Sequence, residues 1–167
     1  MKGAIFYATK YGSTEQYAMW MAERTGLPAF SIKNKSADPG NFDFLVLGAP
    51  VIYHKLYNHK WVKSNLSLLQ SKPVILFSVS GAGPGVKLDK WMQESYPESF
   101  IRHIQHIALL GRQNPKELSF YDRMMLIIGS WLNPDPKASK EELEGFDFMD
   151  KSSIEPVLDL IGQFEVV

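Results

Sequence analysis

The stretch GAIFYATKYGST, residues 3–14, decides how the chain folds. Residues 3–8 form a run of apolar and aromatic side chains with little polar alternation, the pattern of a strand buried on both faces. Residues 9–14 replace it with hydroxyls, one lysine and one glycine. A helix is expected from about Thr14 to Thr25, with Tyr17, Ala18, Met21 and Ala22 on one face and Gly26 as its C-cap. Strand, short polar loop and helix in that order open a βαβ unit.

The remainder continues the alternation. Residues 29–32, 44–47, 74–79 and 107–110 are the other strand candidates, and most of them are nearly continuous in apolar residues. Helical spacing recurs over 60–69, with Trp61, Asn65, Leu68 and Leu69 on one face. It recurs over 88–104, with a break near Tyr96-Pro97, and over 152–164, with Pro156 in the first turn. Residues 36–41 carry Pro39-Gly40 and are expected to be a loop. The reading is an α/β chain, one domain over 1–167, with a five-stranded parallel sheet covered by helices on both faces.

Composition excludes several classes of function. The 167 residues contain no cysteine, which removes disulfides, thiolate catalysis and thiolate metal sites. Lys plus Arg balances Asp plus Glu at 18 each, so there is no nucleic-acid footprint. No apolar run approaches the roughly 18 residues of a membrane span, and no leader pattern precedes the first strand, so a cytoplasmic protein is expected.

In an open parallel sheet, ligands bind beyond the carboxyl ends of the strands where the strand order reverses, and the first strand leads there. The backbone N–H groups of the following loop and the positive end of the next helix then make an anion site. Thr9, Ser13 and Thr14 add hydroxyl donors, and Gly12 permits a positive φ or a close ligand. Lys10 is the only cation in the loop, so neutral donors are expected to carry most of a phosphate. The run is neither GxxxxGK[ST] nor GxGxxG, which removes the P-loop and dinucleotide fingerprints. A polar turn in which Ser13 or Thr14 merely caps the helix is the alternative.

At this point the chain resembles a known family. T-x-x-G-S-T after the first strand is similar to the phosphate loop of flavodoxins, whose 2-1-3-4-5 sheet in a three-layer αβα sandwich the strand pattern matches along nearly the whole chain. LGAPVIYHKLYNHKW, FSVSGAG and FYDRMMLIIGSWL resemble the menaquinone-dependent protoporphyrinogen dehydrogenases and related flavodoxin-domain proteins. The resemblance implies FMN as cofactor. Thr9, Lys10, Tyr11, Gly12, Ser13 and Thr14 would hold its phosphate, and Pro50, Val51, Ile52, Tyr53, Ser78, Val79, Ser80, Gly81 and Ala82 would border its ring. It also implies electron transfer from a porphyrinogen-type substrate to a quinone.

A flavin ring needs apolar or aromatic faces and a few backbone polar groups at its edges. Residues 50–53 and the amides of 80–85 offer both. Trp61 is expected in the core, whereas Tyr53 serves either packing or stacking. Residues 78–85 contain no aromatic side chain, unlike the third loop of carrier flavodoxins, so one ring face is expected to be open to a flat substrate or quinone. The balanced charge also fits an enzyme better than an acidic carrier. A small FMN electron shuttle between redox proteins remains the alternative, and an interaction domain without cofactor is a third reading.

His54 and His59, near Lys55, Lys60 and Lys63, are candidates for offering protons or attracting carboxylates. His103 and His106 lack acidic or cysteine companions and are expected to be structural, so no metal site is expected. Phe120–Leu132 is too apolar for a narrow amphipathic stripe. It is expected to pack on the sheet or between subunits of a homodimer, with peripheral membrane contact as the other possibility.

Overall fold

A computed structural model describes residues 1–165, and of residue 142 the backbone alone. The elements in chain order are β1 (Gly3–Tyr7), α1 (Ser13–Thr25), β2 (Ala29–Ser31), β3 (Phe44–Ile52), β4 (Lys55–Leu56), α2 (His59–Ser64), α3 (Leu66–Gln70), β5 (Val74–Ser80), α4 (Val86–Ser95), α5 (Glu98–His103), β6 (Gln105–Leu110), β7 (Arg112–Gln113), α6 (Phe120–Leu132), α7 (Pro136–Glu144), β8 (Phe146–Asp147) and α8 (Glu155–Glu165). Five strands pair in parallel in the order β2-β1-β3-β5-β6, which is the 2-1-3-4-5 arrangement of a flavodoxin-like fold.

Alternation along the strands divides the core into two layers. Ala4, Phe6, Leu45, Leu47 and Leu76 meet Val62, Leu69, Leu88, Met92 and Phe100 from α2 to α5. Ile5, Tyr7, Val46, Ile75 and Phe77 meet Tyr17, Ala18 and Met21 of α1 and Val157 and Ile161 of α8. Both faces of the sheet are therefore dry, which is why the strands read as unbroken apolar runs. Trp61 stacks on Phe6 at a centroid distance of 5.8 Å, in the core as expected.

Several elements depart from the sequence reading. The expected helix over 60–69 is two, because the Asn65 side chain donates to the carbonyl of Trp61 at 2.8 Å and competes with the helix ladder. β3 runs on to Ile52, well past residue 47. Gly48-Ala49-Pro50 resembles a turn in sequence, yet Gly48 lies within the strand, where a β-carbon would collide with the Phe77 ring. β4 pairs antiparallel with the end of β3, and β7 pairs with β8 as a separate ribbon.

Of the expectations for Phe120–Leu132, packing on the sheet needs correction. In α6 only Asp122 and Ser130 are buried, while Phe120 is 82% and Trp131 79% exposed. Phe120, Tyr121, Met124 and Trp131 form an uncovered apolar face. No helix among the described residues is long and apolar enough to cross a membrane.

Candidate functional site

The loops after β1, β3, β5 and β6 converge at the carboxyl edge of the sheet, around the reversal between β1 and β3. They line a cleft of about 740 Å³, within the range of cofactor sites. Lys10, Tyr11 and Ser13 contribute from the first loop, Pro50, Val51, Ile52 and Tyr53 from the second, and Val79, Ser80, Gly81 and Ala82 from the third.

The first loop leads into the N-terminus of α1. Gly12, at φ 95°, reverses the chain into α1, a conformation costly for any residue with a β-carbon. Its own N–H donates to Thr9 Oγ1 at 2.9 Å, so Thr9 holds the loop together and lies outside the cleft lining. Ser13, Thr14 and Glu15 form the first turn, where N–H groups have no intrahelical acceptor. Thr14 is fully buried and, like Gly12, lies behind the cleft lining, and its Oγ1 has no hydrogen-bond partner. An orphaned hydroxyl beneath a helix N-terminus carries a desolvation cost that an acceptor supplied by a ligand would relieve.

The second loop stores strain. Tyr53 and His54 both have positive φ, at 50° and 64°, where β3 turns back into β4. A two-residue turn with both φ positive prefers Asn-Gly. Here bulky residues hold it, and both are anchored. The Tyr53 hydroxyl donates to Asp122, while the His54 ring stacks on Trp91 of α4 at 5.7 Å and 14°. Lys87 lies over the other partner of that stack, 5.5 Å from the Trp91 centroid.

Asp122 ties the first two loops to α6. Its carboxylate accepts from the hydroxyls of Tyr11 and Tyr53 and pairs with Lys10 Nζ at 2.5 Å. Burial alone would raise this carboxyl, but Lys10 and the two tyrosines outweigh it and hold the pKa at about 2. Burial and the Asp122 carboxylate together push the Tyr53 phenol well above its ordinary value. Burial works against the Lys10 ammonium, but the Asp122 carboxylate prevails and raises it. The Ser119 hydroxyl accepts from the Asp122 N–H at 3.2 Å and caps α6, so the Asp122 side chain is free to reach across. Met125, Ile128 and Leu132 then form an apolar wall of the cleft.

Ser78 is not brought to the cleft. It is fully buried and its hydroxyl meets His106 Nε2 at 2.8 Å, across β5 and β6. His103 Nε2 meets the carbonyl of Lys72, so both histidines of the H-x-x-H pair are structural. No group of metal-ligating side chains occurs among the described residues. His59 Nδ1 faces the Leu56 carbonyl, and of the two loop histidines only His54 lines the main cleft.

Two contributions are invisible in the loop sequences. Phe146 and Phe148, stacked at 4.9 Å and 17°, line the cleft from β8 and just beyond it. Phe146 packs so closely on Gly81 that a β-carbon there would lie 2.7 Å from its ring. An aromatic ring thus reaches the third loop from elsewhere in the chain, although residues 78–85 carry none. Arg112 also lines the cleft, with Nη2 3.8 Å from where a Gly12 β-carbon would sit.

The flavodoxin domain family matches residues 4–139, most of the chain, and the chain belongs to that family. No curated protein matches it by sequence. Among solved structures it is similar to a WrbA-like flavodoxin from Agrobacterium tumefaciens, with 15% identity over 84% of this chain and 98% of that one and a TM-score of 0.48. It is also similar to a Trp repressor binding protein from Bacillus subtilis, with 15% identity over 85% and 95% and a TM-score of 0.48. A flavodoxin from Fusobacterium nucleatum bound to flavin mononucleotide shares 18% identity over 72% and 75%, with a TM-score of 0.42.

Proposed function

We propose that this flavodoxin-domain chain binds FMN in the cleft and is an oxidoreductase that uses a flat, apolar second molecule of the quinone class as electron acceptor. The observation that carries the cofactor assignment is the orphaned, fully buried Thr14 hydroxyl beneath the N-terminus of α1. It fits a phosphate, which supplies an acceptor for it and for the first-turn N–H groups together. Ser13 would add a hydroxyl, while Pro50, Val51, Ile52 and Tyr53 on one side and Ser80, Gly81 and Ala82 on the other would border the ring. When bound, FMN supplies one- and two-electron redox chemistry, which the protein tunes through hydrogen bonds and charge near the ring.

The chain's own residues supply orientation and exclusion of water. The strained Tyr53-His54 turn is pre-set by Asp122 and Trp91, so the second loop needs little rearrangement to receive a ligand. Met125, Ile128 and Leu132 give an apolar wall suited to a quinone. A porphyrinogen-type electron donor is the finer form of this reading.

Phe146 favours a second reading, an FMN electron shuttle, because it brings an aromatic ring against the third loop as carrier flavodoxins do from within theirs. The test is a flavin titration of the purified protein followed by anaerobic reoxidation with a menaquinone analogue and with a small one-electron acceptor. FMN binding with fast quinone turnover supports the enzyme. FMN binding with turnover by the one-electron acceptor alone supports the shuttle, and no flavin binding refutes both.

A further inference from the structure

The first loop contains one cation in sequence, Lys10, and the structure commits it elsewhere. Its ammonium is paired with Asp122, so the pair presents no net charge to a ligand. Arg112 has no ion-pair partner among the described residues. The residue before it is pinned, because the Gly111 N–H donates to the Ser80 carbonyl at 3.0 Å and the Gly111 carbonyl accepts from the Phe148 N–H at 3.0 Å. A carboxylate stands opposite in register, Asp147 of β8, but its Oδ1 takes the Met149 N–H at 3.0 Å. The Arg112 guanidinium reaches over Gly12 instead, and a β-carbon added to Gly111 would lie 3.9 Å from Ser13 Oγ.

From this juxtaposition we propose that Arg112 is the cation of the phosphate site. It closes over the ligand from β7, while the N-terminus of α1 cradles it from below. A phosphomonoester carries between one and two negative charges at neutral pH, and a guanidinium matches its oxygens in a fork that lysine cannot reproduce. Arg112 therefore sets the preference for the phosphorylated flavin over the unphosphorylated one. This inference rests on the FMN reading of the cleft.

The test titrates the wild-type chain, Arg112→Gln and Arg112→Lys with FMN, with riboflavin and with inorganic phosphate, at low and high salt. Arg112→Gln is expected to weaken FMN tenfold or more, leave riboflavin within twofold, and flatten the salt dependence of FMN binding. Arg112→Lys is expected to fall between them. Circular dichroism of each variant checks the fold, which an exposed side chain should leave intact. FMN affinity unchanged in Arg112→Gln overturns the inference and leaves the FMN reading standing, as does an equal loss for FMN and riboflavin. If the wild type binds neither flavin, the FMN reading fails and phosphate decides. Thermal stabilisation by phosphate that is lost in Arg112→Gln keeps Arg112 as an anion site, and no stabilisation of the wild type overturns it.

Discussion

Replacing Asp122 with Asn keeps the shape of the side chain but leaves one accepting oxygen where Tyr11 and Tyr53 now donate to two, and it removes the charge that Lys10 meets at 2.5 Å. The fall of the carboxyl from 3.8 to about 2 corresponds to roughly 2 kcal/mol of preference for the folded, ionised form. Solvent reaches Lys10, whose side chain is 29% exposed, and screening trims the figure to between about 1 and 2 kcal/mol. Because α6 packs outside the two core layers, the loss is expected in local opening of α6 rather than in global unfolding. Amide hydrogen exchange should show protection in α6 reduced by about five- to thirtyfold in Asp122→Asn, with β1, β3 and β5 unchanged. The pH dependence has a definite sign. A carboxyl with a depressed folded pKa contributes stability that is complete above its unfolded value of 3.8 and is lost as the pH falls through about 2. Wild-type protection factors in α6 should therefore drop between about pH 4 and pH 2, and those of the variant should be flat there. Equal loss of protection across the sheet, or no loss in α6, would refute the idea that Asp122 latches this helix.

Thr14→Val should separate binding from stability. It removes a buried, unpartnered hydroxyl, so the unliganded protein should melt at the same temperature or higher, while FMN affinity falls by the roughly 1.5–3 kcal/mol of a hydrogen bond to a charged group. Ser78→Ala should do the reverse, costing about 1–2 kcal/mol in urea denaturation and leaving flavin titrations unchanged, because its partner is His106. Burial, opposed by Asp89, holds the His106 imidazole below its ordinary pKa, so this side chain's contribution to stability should be full above about pH 6.5 and decline as the pH falls below that; the fall should be absent in His106→Gln. For the uncovered face of α6, Trp131→Ser should change the melting temperature little and abolish any cosedimentation with anionic liposomes, since Trp131 is 79% exposed. A large drop in stability would place Trp131 in a packed interface instead.

The parts of the site legible in the sequence are those attached to long buried strands. β1, β3 and β5 are unbroken apolar runs because both sheet faces are covered, so their carboxyl ends direct attention to residues 9–14, 50–53 and 80–82, although β3 itself continues through residues 50–52. Ser78 fails for a reason of period two. It is still inside β5, and the pleat turns its side chain to His106 on the neighbouring strand rather than out of the end. Phe146 and Arg112 sit on two-residue strands, too short to generate any periodic signal, although the switch-point rule does direct attention to Gly111-Arg112 as the residues that follow the fifth parallel strand. Asp122 was visible only as part of the Tyr-Asp-Arg run, with nothing local to indicate its partners.

Charge and aromatic surface therefore have to be assigned across the chain, and doing so changes the functional argument at both ends of the cleft. Counted by adjacency, Lys10 is the phosphate loop's cation and the third loop is bare of rings. In space, Lys10 is neutralised by a carboxylate from α6, and a cation near Gly12, without an ion-pair partner among the described residues, comes from β7. The ring beside Gly81 comes from β8. Both replacements arrive on the same ribbon, since β7 pairs with β8 and opposes Arg112 to Asp147 and Gln113 to Phe146. One small antiparallel pair thus places a cation near the proposed phosphate end and an aromatic side chain near the proposed ring end. Its register couples the two, because moving one strand by a residue would turn Arg112 or Phe146 to the opposite face. An insertion of one residue in β8 should then impair phosphate discrimination and ring packing together. Substitution of Phe146 alone should leave the preference for FMN over riboflavin intact, and a loss of that preference in Phe146→Ala would break the link argued between the ribbon and the two ends of the cleft.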